Sequence, residues 1–455
     1  MSRKLVVLVV AAVVGGCSSA DEPRRAAALF SPTECGTYSG RGCAPPSQRV
    51  DLRMPSFSNP AAIDNPLNPI AKLRSVVFLG EVEGESFRSE TTLLPGTRTI
   101  AWAGRKVRTL ASQYMAWRGG EIEEAATDWY AQADDGSVWY LGEDVFDYAN
   151  GTVATTEGTW RAGREGPAAM ITPADPRVSD VYRPENVIGI VFEEVQVKAV
   201  GRTVAGPRGP VKGAYIASEL HLDGTREDKY FAPGYGEFRT GGRGSLEALA
   251  VAAPTDAIDG PAPAELERLS VGAQGMLGSA QAEDWEAVAA TLRRMRSAWN
   301  GVRADHPPPL LADETEAALD RLARAAAARQ PVRTGLAATD VTEASLDLML
   351  RHRPPVEIDR ARFELWADRV LLHAAARDAG AVNGDVAAME WVRDRFAHTL
   401  GRAEGRELDA RLRDLRAATD ARNLPAAADH AARLAARLRA RPAGARVRVV
   451  RSAPR

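Results

Sequence analysis

Three side chains on one predicted helix, and a fourth on the helix before it, have the types and spacing of metal ligands. Glu390, Asp394 and His398 lie at i, i+4 and i+8, so a straight helix would place them along one stripe. His373 on the preceding helix is the candidate fourth ligand. Carboxylates and imidazoles in a helical bundle bind iron, zinc or copper. Arginines stand among these residues, so a solvated face of ion pairs is the alternative, and it is the favoured one.

A second group of residues that could carry out chemistry is acidic. Eight carboxylates crowd the stretch from 128 to 175: Asp128, Asp134, Asp135, Glu143, Asp144, Asp147, Glu157 and Asp175. Paired carboxylates serve acid–base hydrolysis, which needs two of them about 5 to 10 Å apart in a cleft, or hold calcium through oxygen ligands. Aspartate is also a turn residue, and no spacing here matches a twelve-residue calcium loop. Turn formation is therefore favoured, and an envelope hydrolase is kept as an alternative.

Five aromatic residues in the same region form a candidate ligand-binding patch: Trp129, Tyr130, Trp139, Tyr140 and Trp160. Aromatic side chains that line a concave sheet can receive a lipid, a sugar ring or another apolar ligand. Strands also favour aromatic residues because each ring buries a large apolar area. A role in the core of the sheet is the favoured interpretation.

Sequence motifs for catalysis are missing. The chain has no nucleophile elbow, no zinc-protease helix motif, no Walker loop and no dinucleotide fingerprint. A formal net charge of -2 gives no reason to expect a nucleic-acid partner. These features favour a protein that is not an enzyme and needs no cofactor.

The hydrophobic pattern changes period once along the chain. Residues 70–253 contain β-branched and aromatic runs separated by Gly, Asp, Asn and Pro, which predicts an antiparallel meander forming a curved sheet or a partial barrel. In residues 264–441, apolar residues recur every three or four positions, which predicts a bundle of about six helices. The predicted fold class is therefore α+β, with an all-α bundle after the sheet. The tail at 442–455 is predicted to be disordered.

The stretch DWYAQADDGSVWYLGED is the clearest hairpin. With Asp135 and Gly136 as a two-residue loop, a type I′ turn is expected. That loop would place Tyr130 opposite Leu141. Both faces of this strand pair carry apolar or aromatic residues, so we expect it to be covered on each side.

The N-terminus predicts export and anchoring. Arg3 and Lys4 precede an apolar run from Leu5 to Val14, which is too short to span a bilayer and describes a signal peptide over residues 1–16. Val14-Gly15-Gly16-Cys17 resembles a bacterial lipobox, and the resemblance implies lipidation at Cys17 and an extracytoplasmic, membrane-anchored protein. If the cell has two membranes, Ser18 after the cysteine resembles the sorting pattern for the outer membrane. Residues 17–69, rich in Pro, Ser and Arg, are predicted to be a flexible tether.

The other two cysteines, Cys35 and Cys43, lie close together in CGTYSGRGC. Disulfides persist outside the cytoplasm, so a bond between these residues is favoured over free thiols. No histidine is near them in sequence, which argues against a zinc site.

The motifs around the hairpin resemble an uncharacterised family of secreted bacterial proteins and lipoproteins. The resemblance covers residues 67–240 and rests on Asp128, Trp129, Tyr130, Ala131, Gln132, Gly136, Val138, Trp139, Tyr140, Gly142, Glu143, Gly158, Trp160, Pro173, Asp175 and Pro176. It implies a curved β-sheet domain and an extracytoplasmic setting, but no activity. The expected role is non-catalytic binding, either of an apolar or envelope ligand by the sheet or of an envelope protein by the bundle.

Overall fold

The structure is a computed structural model that describes residues 44–242 and 244–439. The predicted signal peptide, the lipidation at Cys17, the Cys35–Cys43 disulfide and the C-terminal tail lie outside the described residues. The predicted α+β architecture is confirmed: an antiparallel sheet is followed by helices.

The sheet has 14 strands within the described residues. Their bounds are β1 Ser75–Val82, β2 Glu85–Trp102, β3 Arg105–Arg118, β4 Glu121–Gln132, β5 Val138–Ala149, β6 Thr152–Thr155, β7 Trp160–Arg161, β8 Ala169–Thr172, β9 Val181–Val187, β10 Val191–Gly206, β11 Gly209–His221, β12 Arg226–Ala232, β13 Gly236–Gly242 and β14 Ser245–Ala253.

The strand order is that of a long meander whose first and last strands pair. It runs β6-β5-β4-β3-β2-β1-β14-β13-β12-β11-β10-β9, and the short β7 and β8 both pair with β5. The sheet is not closed, but β8 and β5 also contact β9, so the two ends of the strand order approach each other. Side chains on the inner face of β4 and β5 can therefore reach those of β9 and β10.

The loop of the central hairpin differs from the predicted type I′ turn. The N–H of Ala133 donates to the carbonyl of Ser137 (2.8 Å), and the N–H of Gly136 donates to the carbonyl of Ala133 (2.9 Å). The loop thus holds three residues and has a positive φ only at Gly136 (91°). Asp135 favours this loop because its carboxylate accepts hydrogen bonds from the N–H and hydroxyl of Ser137. The predicted register is wrong by one residue, since Tyr130 lies opposite Tyr140.

Part of the predicted tether packs on the sheet instead. Ile63 is fully buried, and the side-chain amide of Asn65 donates to the carbonyls of Gly136 (2.9 Å) and Pro173 (3.1 Å). Gln132 accepts hydrogen bonds from the backbone of this segment. The region from about residue 55 to 69 is therefore an ordered edge of the β domain, and the predicted boundary at 69 lies too late.

Eight helices follow, where about six were predicted. Their bounds are α1 Ala264–Gln281, α2 Trp285–Ala304, α3 Pro309–Ala327, α4 Pro331–Met349, α5 Pro355–Ala376, α6 Ala379–Phe396, α7 Arg402–Asp420 and α8 Leu424–Arg439. The sequence pattern missed α1, because Gly272, Gly275 and Gly278 lower its helix propensity. Its buried residues, including Leu266 and Leu269, nevertheless pack on α2 and α4.

The helices form two similar four-helix units, α1–α4 and α5–α8. In each unit the first helix packs on the second and the fourth, and the third packs on the fourth. Every hairpin between paired helices turns on one left-handed residue with φ between 51° and 61°; these are Glu283, Arg329, Arg377 and Arg422. Asp284 and Asp378 follow two of them and cap the next helix through their carboxylates.

Sheet and bundle share apolar cores. Met115, Trp117 and Ile122 of the sheet belong to the same buried cluster as residues of α5 to α8. Trp117 stacks on Trp366 of α5 with ring centroids 5.5 Å apart. The two parts therefore bury a common surface, and each contributes to the stability of the other.

Gly151, in the turn between β5 and β6, touches the backbone of α6. Its φ is 70°, and an added Cβ would lie 2.3 Å from both the carbonyl oxygen of Gly380 and the amide nitrogen of Gly384. We expect Gly151→Ala to lower the free energy of unfolding by about 2 to 4 kcal/mol, because it adds a backbone clash to conformational strain. Urea unfolding measures the loss. Gly189→Ala is the control, because its φ of 82° brings the same strain but no atom lies within 4 Å. Equal losses in both variants would contradict a specific contact with α6.

Candidate functional site

The structure does not bring together the four residues predicted as metal ligands in the bundle: His373, Glu390, Asp394 and His398. Glu390 forms two hydrogen bonds with Arg416 (2.7 and 3.0 Å), and Asp394 pairs with the neighbouring arginine. The Nδ1 of His373 lies 2.6 Å from Asp385. His398 is off the predicted stripe because α6 ends at Phe396. The arrangement is that of the ion-pair alternative.

The five aromatic residues of the predicted patch pack against one another and against other side chains. Trp160 is fully buried, Tyr140 meets it edge to face at 5.4 Å, and Tyr130 stacks on Tyr140 at 4.8 Å. Trp129 has the guanidinium of Arg98 over its ring at 4.2 Å, and Trp139 stacks on a further tryptophan. These contacts place the aromatics in the core of the β domain.

The acidic residues divide into two groups. Asp134 and Asp135 accept hydrogen bonds in turns, and Asp175 is exposed. Asp144 and Asp147 are half-buried, and Glu157 is exposed. Asp128 and Glu143, by contrast, are buried directly opposite each other on β4 and β5. Turn chemistry therefore explains only some of the acids.

Asp128 and Glu143 begin a row of buried carboxyl groups. The hydroxyl of Tyr140 donates to Asp128 (2.9 Å). Glu143 hydrogen-bonds to Glu185 of β9, which connects strands from opposite ends of the strand order. Two carboxyl groups in hydrogen-bond contact share a proton, so they differ from the separated pair that the hydrolase alternative requires.

Burial keeps several of these groups protonated near neutral pH. It raises the pKa of Asp128 to about 7, against the hydrogen bond from Tyr140. Burial, with the charge of Glu193, raises the pKa of Glu185 to about 7. Burial and the neighbouring Glu185 raise the pKa of Glu143 well above its usual value. Carboxyl groups on the inner face therefore stay protonated at pH values at which they would be ionised in the unfolded chain.

The row continues on β10 and β11 as a cluster of Glu193, Glu219 and His221, called here the Glu–Glu–His cluster. One ligand atom from each residue lies within 4.8 Å of the others. The Nδ1 of His221 is 3.6 Å from Glu193, and its Nε2 is 3.7 Å from Glu219. Glu227 approaches the same Nε2 at 3.2 Å.

Strand register explains this convergence. Glu219 and His221 are two residues apart on β11, so both point to one face of the sheet. Glu193 on β10 lies directly opposite His221, and Glu227 on β12 lies opposite Glu219. Glu185 on β9 lies opposite Glu193. Cross-strand pairs thus join the cluster to the Glu143–Glu185 contact.

Two cationic side chains partly balance these carboxylates. Lys229 Nζ lies 2.7 Å from Glu219. Burial opposes the charge of Lys229, but Glu219 and the other surrounding glutamates together raise its pKa. Burial would lower the pKa of His221, but contacts with Glu193 and Glu227 raise it to about 10. Lys229 and His221 face four carboxyl groups, those of Glu193, Glu219, Glu227 and Glu237, so negative charge is in excess.

The Glu–Glu–His cluster has the donor set of a transition-metal site. His221 is only 9% exposed, and its Nδ1 and Nε2 both face carboxylates, Glu193 at 3.6 Å and Glu227 at 3.2 Å. Two carboxylates and an imidazole suit first-row dications such as Mn²⁺, Fe²⁺ or Zn²⁺. Metal binding would displace the proton of His221, so affinity would rise with pH.

No motif in the sequence marks this cluster, because the partner of His221, Glu193, lies on the preceding long strand. The one local signal is the Glu-x-His spacing of Glu219 and His221 in a strand.

Comparison of the chain with protein-family models and with curated proteins finds no match. None of the helices between residues 264 and 439 is long and apolar enough to cross a bilayer.

The raised pKa values of the inner carboxyl groups predict an unusual pH dependence. Asp128 and Glu185 hold protons up to about pH 7, whereas in the unfolded chain they lose them near pH 4. The free energy of unfolding should therefore fall between about pH 4 and pH 7, by up to about 1.4 kcal/mol per pH unit for each such proton. His221 adds to the decline above about pH 6.5, since its folded pKa is also raised.

Urea unfolding at pH 5, 6, 7 and 8 measures this slope. Glu185→Gln removes one of the titrating groups and should flatten it. Asp175→Asn, at a carboxylate whose side chain is 80% exposed, is the control and should keep the wild-type slope. A stability that rises over this range, or a slope that Glu185→Gln leaves unchanged, would show that these protons are not held in the folded state.

Proposed function

We propose that the protein is a membrane-tethered, extracytoplasmic binding protein that holds a transition-metal dication in its β domain. Glu193, Glu219 and His221 are the proposed ligands, and the role is non-catalytic. The observation that carries the proposal is the convergence of these three buried side chains, one ligand atom from each lying within 4.8 Å of the others. Two carboxylates and one imidazole at this spacing form a donor set that first-row dications favour.

The excess of carboxylates supports a cation as the ligand. Lys229 and His221 each pair with more than one carboxylate, so two positive charges are shared among a larger number of buried or half-buried acids, and burying such an excess of charge is costly. A bound dication would compensate two negative charges at once. The packed aromatic core gives less support to an apolar ligand, since its rings already contact one another.

Anchoring is part of the same proposal. The lipobox-like Val14-Gly15-Gly16-Cys17 supports lipidation at Cys17 and a place in the cell envelope, at the outer membrane if the cell has two. Mass spectrometry of the native protein tests this. We expect a mature chain that begins at an acylated Cys17, and an unmodified chain that keeps Met1 would refute the anchor.

Metal analysis tests the binding role. The full-length protein is stripped with chelator, then offered Mn²⁺, Fe²⁺, Zn²⁺ and Ca²⁺ in separate samples. We expect one equivalent of a transition metal by elemental analysis and a higher melting temperature, with little response to Ca²⁺ because the imidazole favours softer ions. His221→Ala should lose the metal. His373→Ala, from the bundle, is the matched control and should retain it. A protein that binds none of these ions would refute the proposal.

A further inference from the structure

A second region with binding character lies between the sheet and the first four-helix unit. It is a cavity of about 540 Å³ formed by the β10–β11 turn, the connection between α2 and α3, and the end of α4. Three arginines, Arg208, Arg303 and Arg351, and the imidazole of His306 line it. Cavities of this size hold small organic ligands.

The arginines of this cavity are incompletely neutralised. Arg351 has a buried Nε without a hydrogen-bond partner, and Arg208 donates only one observed hydrogen bond, to the carbonyl of Ala257 (3.1 Å). Burial lowers the pKa of Arg351, and the charge of Arg208 lowers it further, against the opposite effect of Asp256. The cavity therefore brings two guanidinium groups close enough to repel each other.

The neighbouring carboxylates offset only part of this charge: Asp256 supplies one acidic group for two guanidinium groups, although its attraction acts on Arg351 more strongly than the repulsion from Arg208. Asp256 is fully buried and accepts hydrogen bonds from the hydroxyl of Tyr235 and the N–H of Ala252, both at 2.8 Å. Glu316 pairs with Arg303 at 2.9 Å. Positive charge from Arg208 and Arg351 thus remains available to a ligand.

The start of helix α3 adds to the positive potential. Pro309 and Ala312 line the cavity, so the N-terminal end of this 19-residue helix faces it. The first turn of α3 has no capping side chain and no acidic residue. Helix N-termini favour anions through the helix dipole, and here the dipole is the contribution of α3, because Pro309 has no N–H and the N–H of Ala312 donates to the carbonyl of Pro308.

We propose that this cavity binds a phosphoryl group, carried either by a small organic phosphate or by a lipid head group. A planar guanidinium group can donate two parallel hydrogen bonds to phosphate oxygens, and Arg208 and Arg351 each provide such a group. The rigid walls provided by Pro207, Pro307 and Pro309 leave room for the organic part of the ligand. This site is separate from the Glu–Glu–His cluster and has the opposite charge.

Isothermal titration calorimetry on the full-length protein tests the proposal with three soluble probes: inorganic phosphate, glycerol 3-phosphate and dihexanoyl phosphatidylglycerol. We expect saturable binding of an organic phosphate that weakens as salt is raised. Arg208→Gln and Arg351→Gln should each weaken it about tenfold or more, since each removes charge-assisted hydrogen bonds. Binding of glycerol 3-phosphate indicates a free phosphate ligand, and binding of the short-chain lipid alone indicates a head group.

The control is Arg433→Gln, at an exposed arginine of α8 that pairs only with Asp429 in the described contacts. It should bind like the wild type. Because Arg208 is exposed, its variant is expected to fold normally even if Arg351→Gln does not. The proposal is overturned if no probe binds at millimolar concentration, or if Arg208→Gln binds as tightly as the wild type.

Discussion

Replacing Arg362 by Met lowers the free energy of unfolding by about 3 to 5 kcal/mol, because it leaves buried carboxylates without their counter-ion. Arg362 is 1% exposed, and its guanidinium lies 2.8 Å from Asp347, 3.3 Å from Glu90 and 3.5 Å from Asp359. These partners come from both the sheet and the bundle. Urea unfolding measures the loss.

The network around Arg362 extends across the interface. Arg395 pairs with Glu90 and Asp359, and Arg88 pairs with Glu90 and Asp347. Three arginines thus meet three buried carboxylates, so deleting one charge unbalances the whole set. Moving each of these charges out of water costs several kcal/mol, so each must be paired with an opposite charge for the folded state to be stable.

Two further variants separate this explanation from simple loss of packing. Arg433→Met, at an exposed ion pair of α8, should change stability by about 0.5 kcal/mol or less. The double variant Arg362→Met/Asp359→Asn should be more stable than Arg362→Met alone, since one unpaired charge is removed. If the double variant loses additional stability instead, the cost of Arg362→Met comes from packing and not from charge.

Replacing Lys229 by Met has opposite effects on stability and on metal binding. Without metal, the variant loses about 3 kcal/mol, since Glu219 then lies buried without the ammonium group at 2.7 Å. With metal, the variant binds the dication about tenfold tighter or more, because the ammonium no longer competes for the same carboxylate. Calorimetric titration and urea unfolding, with and without metal, measure the two effects.

Lys198→Met is the control for this substitution. Lys198 is exposed and contacts only Gln196 among the recorded contacts, so neither stability nor affinity should change. Weaker metal binding by Lys229→Met would mean that the ligand of the Glu–Glu–His cluster is not a cation competing with Lys229.

Local patterns in the sequence predicted the kind of each element better than its details. Asp-Gly between alternating apolar residues revealed the hairpin around Gly136, but not the hydrogen bonds of Asp135 that lengthen the loop by one residue. The stripe from Glu390 to His398 assumed a helix that continues, whereas α6 ends at Phe396. Such differences arise from single hydrogen bonds and helix ends, which periodicity does not encode.

The candidate site could not be predicted because strand register creates it. Glu193, Glu219 and His221 come from β10 and β11, and they meet only because Glu193 pairs opposite His221. That register depends on bulges within β10 and β11 that no local motif marks. The same limit applies to the Glu143–Glu185 contact, which requires the ends of a 14-stranded sheet to approach.

A crystal of the chelator-treated protein soaked in Mn²⁺ or Zn²⁺, with diffraction recorded at the absorption edge of that metal, tests the proposed binding site most directly. We predict one strong anomalous peak about 2.0 to 2.3 Å from a carboxylate oxygen of Glu193, a carboxylate oxygen of Glu219 and a ring nitrogen of His221. A peak beside His373 and Glu390, or no peak near His221 at full soaking concentration, would contradict it.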